Sequence, residues 1–596
     1  MCGISGEVSR RQPTVDVVRR MADTQTHRGP DASAVRQWSQ CVLGHNRLRI
    51  IDLSPGADQP MTNEDETVWV VFNGEIYNFI GLRAELVTAG HTFQTHTDTE
   101  ELVHLYEEHG PAMVEWLRGM FAFAIWDDRA HRLLLARDRL GMKPLYYRRD
   151  GHKLRFASEV RALRTASDSL DSAALGACLR LGWVPGPSTI IAGIEELPPG
   201  HLLEWQDGEV QLRRWWQAPH RDSGGVEADR EPLADVLVDA FRRHLVADVP
   251  VGLFLSSGVD SLALGYLAAR AGADLTGYTV AFDTGPGEAR EAASVARHLG
   301  LAHETITVSG AQVLAELPRI VADLAQPSVD GVNTWVVSRA VRQAGLTVAL
   351  SGLGGDELFA GYSTFRRVPR MVRAGRLARG LTAPARAVIG QAAQRLPRHD
   401  LRRAAEATTA GGWSAAYAAM RGVTGAAEHR RLTTGRGGEG LAGLVVAPGV
   451  DPLDTVTQME LGNYLPYQLL RDTDAMSMAH SLEVRVPLLD DAVLAAALRA
   501  PVDAEGRRGK ARLAAAVHPE LLARVDRPKL TFTLPFDRWL AGPLAEPARA
   551  ALDRLADPDA GLARTELDTL WRRWEHGQVH WRTVWALAAL GLWLDA

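Results

Sequence analysis

The stretch Val249–Leu264, VPVGLFLSSGVDSLAL, restricts the fold more than any other part of the chain. Its apolar run Val251–Leu255 reads as a buried parallel strand that halts at Ser256-Ser257-Gly258-Val259-Asp260-Ser261, after which Leu262, Leu264 and Leu267 resume at helical spacing. Strand, small-residue turn and helix form a geometry that aims several backbone N–H groups at an anion. No Gly-Lys-Ser/Thr follows, so this is not a Walker loop and cleavage at a γ-phosphate is not expected. Serines, a glycine and one aspartate suit the pyrophosphate of ATP with Mg2+, a cation that favours carboxylate and phosphate oxygens. An ordinary strand-to-helix turn would explain the hexapeptide equally well on its own.

The 596 residues leave room for two to four domains at roughly 150 residues each. A net charge of −6 gives no electrostatic reason to expect nucleic acid or an anionic membrane as partner. Three cysteines, Cys2, Cys41 and Cys178, cannot make a disulfide framework, and no Cys/His spacing suggests zinc. Such usage fits a reducing cytoplasm. No apolar run approaches the roughly 20 residues of a membrane span, and no signal-peptide core opens the chain. The expectation is a cytoplasmic protein.

Cys2 is the most informative single residue. Removal of Met1 would leave its thiol beside its own α-amine, which titrates near pH ~8 and can take the thiol proton without a histidine. A small residue after Met is also unremarkable, so further motifs are needed. They follow in order: THRGPD (Thr26–Asp31), LGHNRLRIID (Leu43–Asp52), VWVVFNGEIYN (Val68–Asn78) and HTDTEE (His96–Glu101). Alternating Leu48, Ile50 and Asp52 predict a strand. A β-rich run is expected to end at Asn73-Gly74-Glu75, with a helix from near Asn78. Asn-Gly commonly makes a tight turn, but a side-chain amide beside a glycine N–H also makes an oxyanion hole. Asp98 offers a carboxylate to a substrate ammonium group, or caps a helix. Gly119–Asp127 and Leu133–Ala136 read as paired strands.

These motifs resemble the glutaminase domain of the N-terminal-nucleophile (class II) glutamine amidotransferases. The resemblance implies a four-layer α/β/β/α sandwich in which Cys2 attacks the glutamine carboxamide and forms a γ-glutamyl thioester. Asn73 and Gly74 would hold the oxyanion, Arg47 the glutamine carboxylate, and Glu75 and Asp98 its amino group. Backbone from Leu48, Arg49, Ile50 and Ile51 would close the pocket. RDRLGMKPLY (Arg137–Tyr146) would lie towards a second domain as channel wall.

Pro219–Glu231 is polar and without apolar period, and reads as a linker. Beyond it, an amphipathic helix over 233–245, strands over 251–255, 275–282 and 347–352, and a helix over 288–299 predict a doubly wound parallel sheet. Ligands would sit outside its carboxyl edge, where SSGVDS, Val280 and SGLGGDE (Ser351–Glu357) converge. Here the chain resembles glutamine-hydrolysing asparagine synthetases and the wider group of ATP pyrophosphatase amidotransferases. The resemblance implies adenine contacts from Leu255 and Val280, with Ser351 and Gly352 near the nucleotide. Ser256, Ser257, Gly258 and Ser261 would cradle pyrophosphate, and Asp260 and Asp356 would hold Mg2+. Lys510, in GRRGKARL, would neutralise the attacked α-phosphate; taken alone it reads as a solvated lysine. MSMAHSLEVRVPLLD (Met476–Asp490) and RPKLTFTLPFDRWL (Arg527–Leu540) extend the match.

The expected architecture is therefore α/β and α+β in two domains, a glutaminase over 1–218 and a synthetase with helical additions over 232–596, joined by 219–231. The expected partners are glutamine, ATP and a carboxylate acceptor, with no nucleic acid and no membrane, and a homodimer is compatible. Two departures bear on the acceptor. Leu353 stands where asparagine synthetases carry a glutamate, and QPSVDGVNT (Gln326–Thr334) lacks the Thr/Arg segment with which they hold aspartate. Arg366–Pro448, rich in Arg, Ala and Gly, reads as a solvated helical insert or as a basic surface for a membrane or an acidic carrier.

Overall fold

The computed structural model describes residues 2–221, 232–282, 287–380, 382, 388, 402–406, 412–436, 438–449, 451–499, 509–526 and 534–596. Most of the expected linker (222–231), much of 381–411, the start of GRRGKARL and the start of RPKLTFTLPFDRWL lie outside the described residues.

The N-terminal domain is built on two six-stranded antiparallel sheets. One runs, in spatial order, Ile194–Glu196, Tyr146–Asp150, Lys153–Ala157, Gly3–Val8, Cys41–Arg47 and Ala32–Gln37. The other runs Glu209–Arg214, His201–Gln206, Arg132–Arg137, Gly119–Asp127, Val68–Ile76 and Met61–Thr62. The period-2 alternation of Val68–Ile76 shows why the sheets stack. Trp69 and Val71 join Ile4, Val8, Leu43 and Phe156 of the first sheet in one core, while Val68, Val70 and Phe72 meet Leu82, Leu86, Leu102 and Leu105 from two helices outside. Those helices are Phe79–Ala89 and Glu100–His109, and Val15–Thr24 covers the first sheet. The four-layer sandwich is the one expected.

The Val68 strand runs one residue past the expected Asn73-Gly74-Glu75 end, to Ile76, with Asn73 opposite Ala122 and Gly74 opposite Phe121. One local reading needs correction. Leu48–Asp52 is not a strand: the Cys41 strand stops at Arg47, and Asp52 has φ +55°. The alternation of Leu48 and Ile50 arises because both side chains pack on Val348 and Met478 of the second domain.

The C-terminal domain holds a five-stranded parallel sheet in the order Ala302–Val308, Thr276–Phe282, Val251–Phe254, Val348–Leu350, Glu483–Arg485. Val251–Phe254 is central. The chain adds strands to one side of it and then crosses to the other, which creates the crevice where doubly wound sheets bind ligands. Helices Leu233–Arg243, Val259–Ala271 and Gly287–Leu299 fall close to the expected spans. The described helices of the Arg/Ala/Gly-rich region are packed rather than simply solvated: Val368, Met371 and Tyr417 share a core with Leu181, Trp183 and Tyr467. Among the described residues, no helix is long and apolar enough to cross a membrane.

Buried polar links join the domains. Arg28 Nη2 donates to Asp474 at 2.8 Å, and Arg485 Nη2 lies 3.3 Å from Glu75 Oε1. Arg471 donates to the Val184 carbonyl, and the backbones of Ile50 and Asp52 bond Asp248.

Candidate functional sites

Cys2 precedes the Gly3–Val8 strand, buried where the two domains meet. Its backbone N–H donates to Asn73 Oδ1 at 3.0 Å, and Arg28 Nε donates to its carbonyl at 3.1 Å. Accepting from Cys2 fixes the Asn73 amide, and its Nδ2 group is left buried without a partner among the described residues. An unsatisfied buried N–H costs about 1–3 kcal/mol, so a donor held this way is set up for an incoming oxygen. Burial pushes the Cys2 thiol up, while the Leu48 backbone N–H and the Arg47 charge pull it down.

Glu75 and Asp98 are both buried. Burial drives Glu75 well above the usual carboxylate range, with Glu483 adding to the rise and Arg485 opposing it. Asp98 is pushed up to about 6 by burial, although the Ile76 N–H (2.7 Å) and the Thr97 hydroxyl donate to it. Two buried carboxyls raised in this way by burial are chemically suited to a ligand's ammonium group. Arg47 is differently occupied. Its Nη1 donates to Ser54 O at 2.9 Å and Asp58 at 2.6 Å, and its Nη2 to the carbonyls of Ile51 and Asp52. Its fork thus holds the 51–58 loop, and Arg49 binds the same Asp58 at 2.9 Å.

In the second domain, Leu255, Ser256, Gly258, Asp260, Ser261, Val280, Ser351, Gly352 and Asp356 line one cavity of about 410 Å3, together with Leu353. Ser257 does not line it. Ser261 pins the turn: its Oγ accepts from Ser256 N at 2.7 Å and donates to Phe254 O at 2.8 Å. The neighbouring loop approaches so closely that a Cβ on Gly352 would stand 2.9 Å from Asp260 Cβ, which explains a glycine there. Lys510 Nζ contacts both carboxylates, Asp260 and, at 2.7 Å, Asp356. The two carboxylates raise the lysine's pKa although burial opposes them. Two carboxylates already converging on one cationic nitrogen beside a phosphate-type loop are a donor set that fits Mg2+.

Sequence reasoning missed several residues on the same cavity: Asp330, Asn333, Glu357, Tyr362, Asp472 and Thr473. Burial and the neighbouring Asp356 push Glu357 up to about 7, against the Tyr362 hydroxyl that donates to it at 2.7 Å. Asp472 also reaches about 7 through burial, while Arg471 and the Ser328 hydroxyl pull it down. Glu357 was legible as part of SGLGGDE; Asp472 had no local signal. Among the described lining residues there is no arginine or lysine. Between the two sites, Met120, Met142, Lys143, Leu470, Thr473, Asp474, Val484 and Val486 surround a void of about 10 Å3. This places part of Arg137–Tyr146 at the domain junction.

Residues 1–216 match the glutamine amidotransferase domain family, and residues 232–595 match the asparagine synthase family. The chain belongs to the asparagine synthase family, as a glutamine amidotransferase domain followed by an asparagine synthetase-type ligase domain. It is 30% identical over 576 residues to the glutamine-hydrolysing asparagine synthetase 1 of Bacillus subtilis (strain 168), covering 92% of this chain and 89% of that one. It is 32% identical over 394 residues to the glutamine-hydrolysing asparagine synthetase B of Escherichia coli (strain K12), covering 62% of this chain and 66% of that one.

Proposed function

We propose that this chain transfers the amide nitrogen of glutamine to a carboxylate that it first activates with ATP, releasing AMP and pyrophosphate. The observation that carries the glutaminase half is the pairing of Cys2 with Asn73, whose amide is fixed and whose Nδ2 is left unpartnered. In this reading Met1 is removed and the Cys2 amine takes the thiol proton. The thiolate attacks the glutamine carboxamide, and Asn73 Nδ2 with the Gly74 N–H holds the oxyanion. Collapse breaks the C–N bond, the Cys2 amine returns its proton to the departing ammonia, and water then hydrolyses the γ-glutamyl thioester to glutamate. Glu75 and Asp98 hold the substrate ammonium. The Arg47 fork, with backbone at Leu48–Ile51, shapes the carboxylate end. We take the domains as 1–218 and 232–596, joined by 219–231.

In the second half, Leu255 and Val280 flank adenine, and the Ser256–Ser261 turn with Ser351 and Gly352 holds the phosphates. Asp260 and Asp356 would hold Mg2+, which would offset phosphate charge when bound. Lys510, freed from its carboxylate partners, would face the α-phosphate. The acceptor carboxylate attacks that phosphorus to form an acyl-adenylate, and ammonia then displaces AMP to leave the amide. Ammonia released into neutral water would be protonated and non-nucleophilic, so the buried domain junction serves as its route. Glu357 is the buried carboxyl best placed to take the proton that attacking ammonia sheds.

The cavity also bears on the acceptor. Aspartate carries a second carboxylate; among the described residues that line the cavity none is cationic, Lys510 being paired with Asp260 and Asp356, whereas Asp330 and Asp472 do line it. Unpaired polar groups in a closed site cost roughly 1–3 kcal/mol each. Two such groups would lower kcat/KM by about two to four decades. We therefore expect aspartate to be a poor acceptor and a less charged or bulkier carboxylate to be a better one. AMP formation with glutamine and a panel of carboxylates tests this. A kcat/KM for aspartate of about 10⁴ M⁻¹s⁻¹ or more would establish the second reading, a plain asparagine synthetase, which the activity named for the relatives favours.

A further inference from the structure

Four side chains on the outer layer of the N-terminal domain belong to neither site and converge on one point. His104 and Glu107 sit one turn apart on the Glu100–His109 helix and so share a face. His91 follows the Phe79–Ala89 helix. Gly90, at φ +109°, ends that helix, and the His91 N–H returns to Leu86 O, which lays the His91 ring 4.7 Å from the His104 ring. Glu64 comes from the turn between Met61–Thr62 and Val68–Ile76.

The distances distinguish shared ligation from simple ion pairing. His104 Nδ1 lies 3.5 Å from both Glu64 Oε2 and Glu107 Oε2, and His91 Nδ1 lies 3.6 Å from Glu64 Oε1 and 3.8 Å from Glu107 Oε2. A histidine–carboxylate pair closes to about 2.8–3.0 Å when it is only a hydrogen-bonded ion pair. Tetrahedral ligands about 2.0–2.1 Å from a shared zinc ion stand roughly 3.3–3.4 Å from one another. The cluster lies near the second value, with one donor atom from each residue and all four within 4.8 Å of one another.

The surrounding groups match what metal ligands require. The far nitrogen of His91, Nε2, meets Glu108 Oε1 at 3.0 Å, and that of His104, almost wholly buried, faces Glu100 Oε1 at 4.0 Å. Glu107 Oε1 accepts from Asn63 Nδ2 at 2.7 Å, and Glu64 Oε1 accepts from the Thr92 N–H at 2.9 Å. The hydrogen-bonded carboxylate behind His91 and the hydrogen bond on each ligating carboxylate orient and polarise ligands in this way at known metal centres, while His104 Nε2 is beyond hydrogen-bond reach of Glu100. We propose that Glu64, His91, His104 and Glu107 form a structural site for a borderline transition-metal ion of the Zn2+ class. Two imidazoles and two carboxylates suit such an ion better than Mg2+ or Ca2+, which take oxygen ligands. The ion would clamp the 61–68 turn, the loop after Gly90 and the helix that Asp98 precedes, steadying the approach to the ammonium receptor without touching it.

The test uses the full-length protein stripped with EDTA and titrated with Zn2+ alone, then with Co2+ as a spectroscopic probe, beside Glu64→Gln and His91→Gln. Both substituted positions lie at or near the surface, and circular dichroism checks that the variants fold. The wild type should bind one Zn2+ more per chain than either variant retains, or bind it about 10–100-fold more tightly. It should also show the visible bands of four-coordinate Co2+ and a Zn2+-dependent rise in Tm, both absent from the variants. No Zn2+ uptake at micromolar free metal, or equal stoichiometry and equal spectra in all three proteins, would overturn the site.

Discussion

The molecule contains two pairs of acidic residues set for positive charge, and they solve the problem in opposite ways. Asp260 and Asp356 meet Lys510 between them, so one of their two negative charges is offset before any ligand arrives. Glu75 and Asp98 are buried, and the Arg485 guanidinium beside Glu75 is itself shared with Glu483 and the carbonyls of His244 and Val246. Burial therefore lifts both carboxyls towards the neutral form. A pair that already holds a cation is suited to exchanging it for another. A pair held near neutrality is suited to capturing a cation it lacks. The two pairs are also linked: Arg485 touches Glu75, and its carbonyl accepts from the Ser351 N–H, on the loop that carries Asp356, at 2.8 Å.

The sharpest way to break this comparison is to silence one half and read the other. Cys2→Ala should lower glutamine-dependent amidation by at least about 10³-fold, as loss of a nucleophile does. Ammonium salts should still support synthesis, because the Asp260–Lys510–Asp356 group is untouched. Equal loss with both nitrogen sources would mean that Cys2 acts structurally at the domain junction. The converse change is Asp356→Asn, which removes one carboxylate from the lysine-bound pair. ATP-to-AMP conversion should fall by about 10²–10⁴-fold, while glutamine hydrolysis persists. Unchanged AMP formation would remove the metal-holding role from Asp356.

What could be read from the sequence follows the same division. The strand-turn-helix at Val249–Leu264 and the ordered motifs from Cys2 to Asp98 are local patterns, and local patterns carried both folds. Where meaning depended on distant packing, the reading failed. Leu48 and Ile50 alternate like a strand because the second domain covers them. Glu483–Arg485 was missed as a strand because three residues carry no period, yet it completes the parallel sheet and sends Arg485 to Glu75. Asp472 looks like any helical aspartate until Ser328 and the cavity are in place. The histidines of the outer cluster share no local motif, since His91 and His104 meet only through the turn at Gly90.

The smallest expected effect is the one that sharpens the comparison most. Asp98 sits at about 6 in the free protein, raised by burial. Above that pH it is ionised and can pair with the α-ammonium of glutamine, which stays charged throughout the range. Below it Asp98 takes a proton, and the pair is lost. The kcat/KM for glutamine hydrolysis should therefore decline below about pH 6, approaching tenfold per unit, because this parameter reports the free enzyme. Bound ammonium pulls the carboxyl back down, so kcat should hold to lower pH than kcat/KM. Asp98→Asn should bind glutamine about 10–100-fold more weakly, the worth of a hydrogen bond to a charged group, and should lose this limb of the profile. The lysine-bound pair predicts the contrary for synthesis from ammonia: after correction for the free-ammonia fraction, AMP formation should show no limb that Asp98→Asn removes. A kcat/KM for glutamine that stays level from pH 7 to pH 5, or a limb unchanged in Asp98→Asn, would show that the ammonium receptor lies elsewhere.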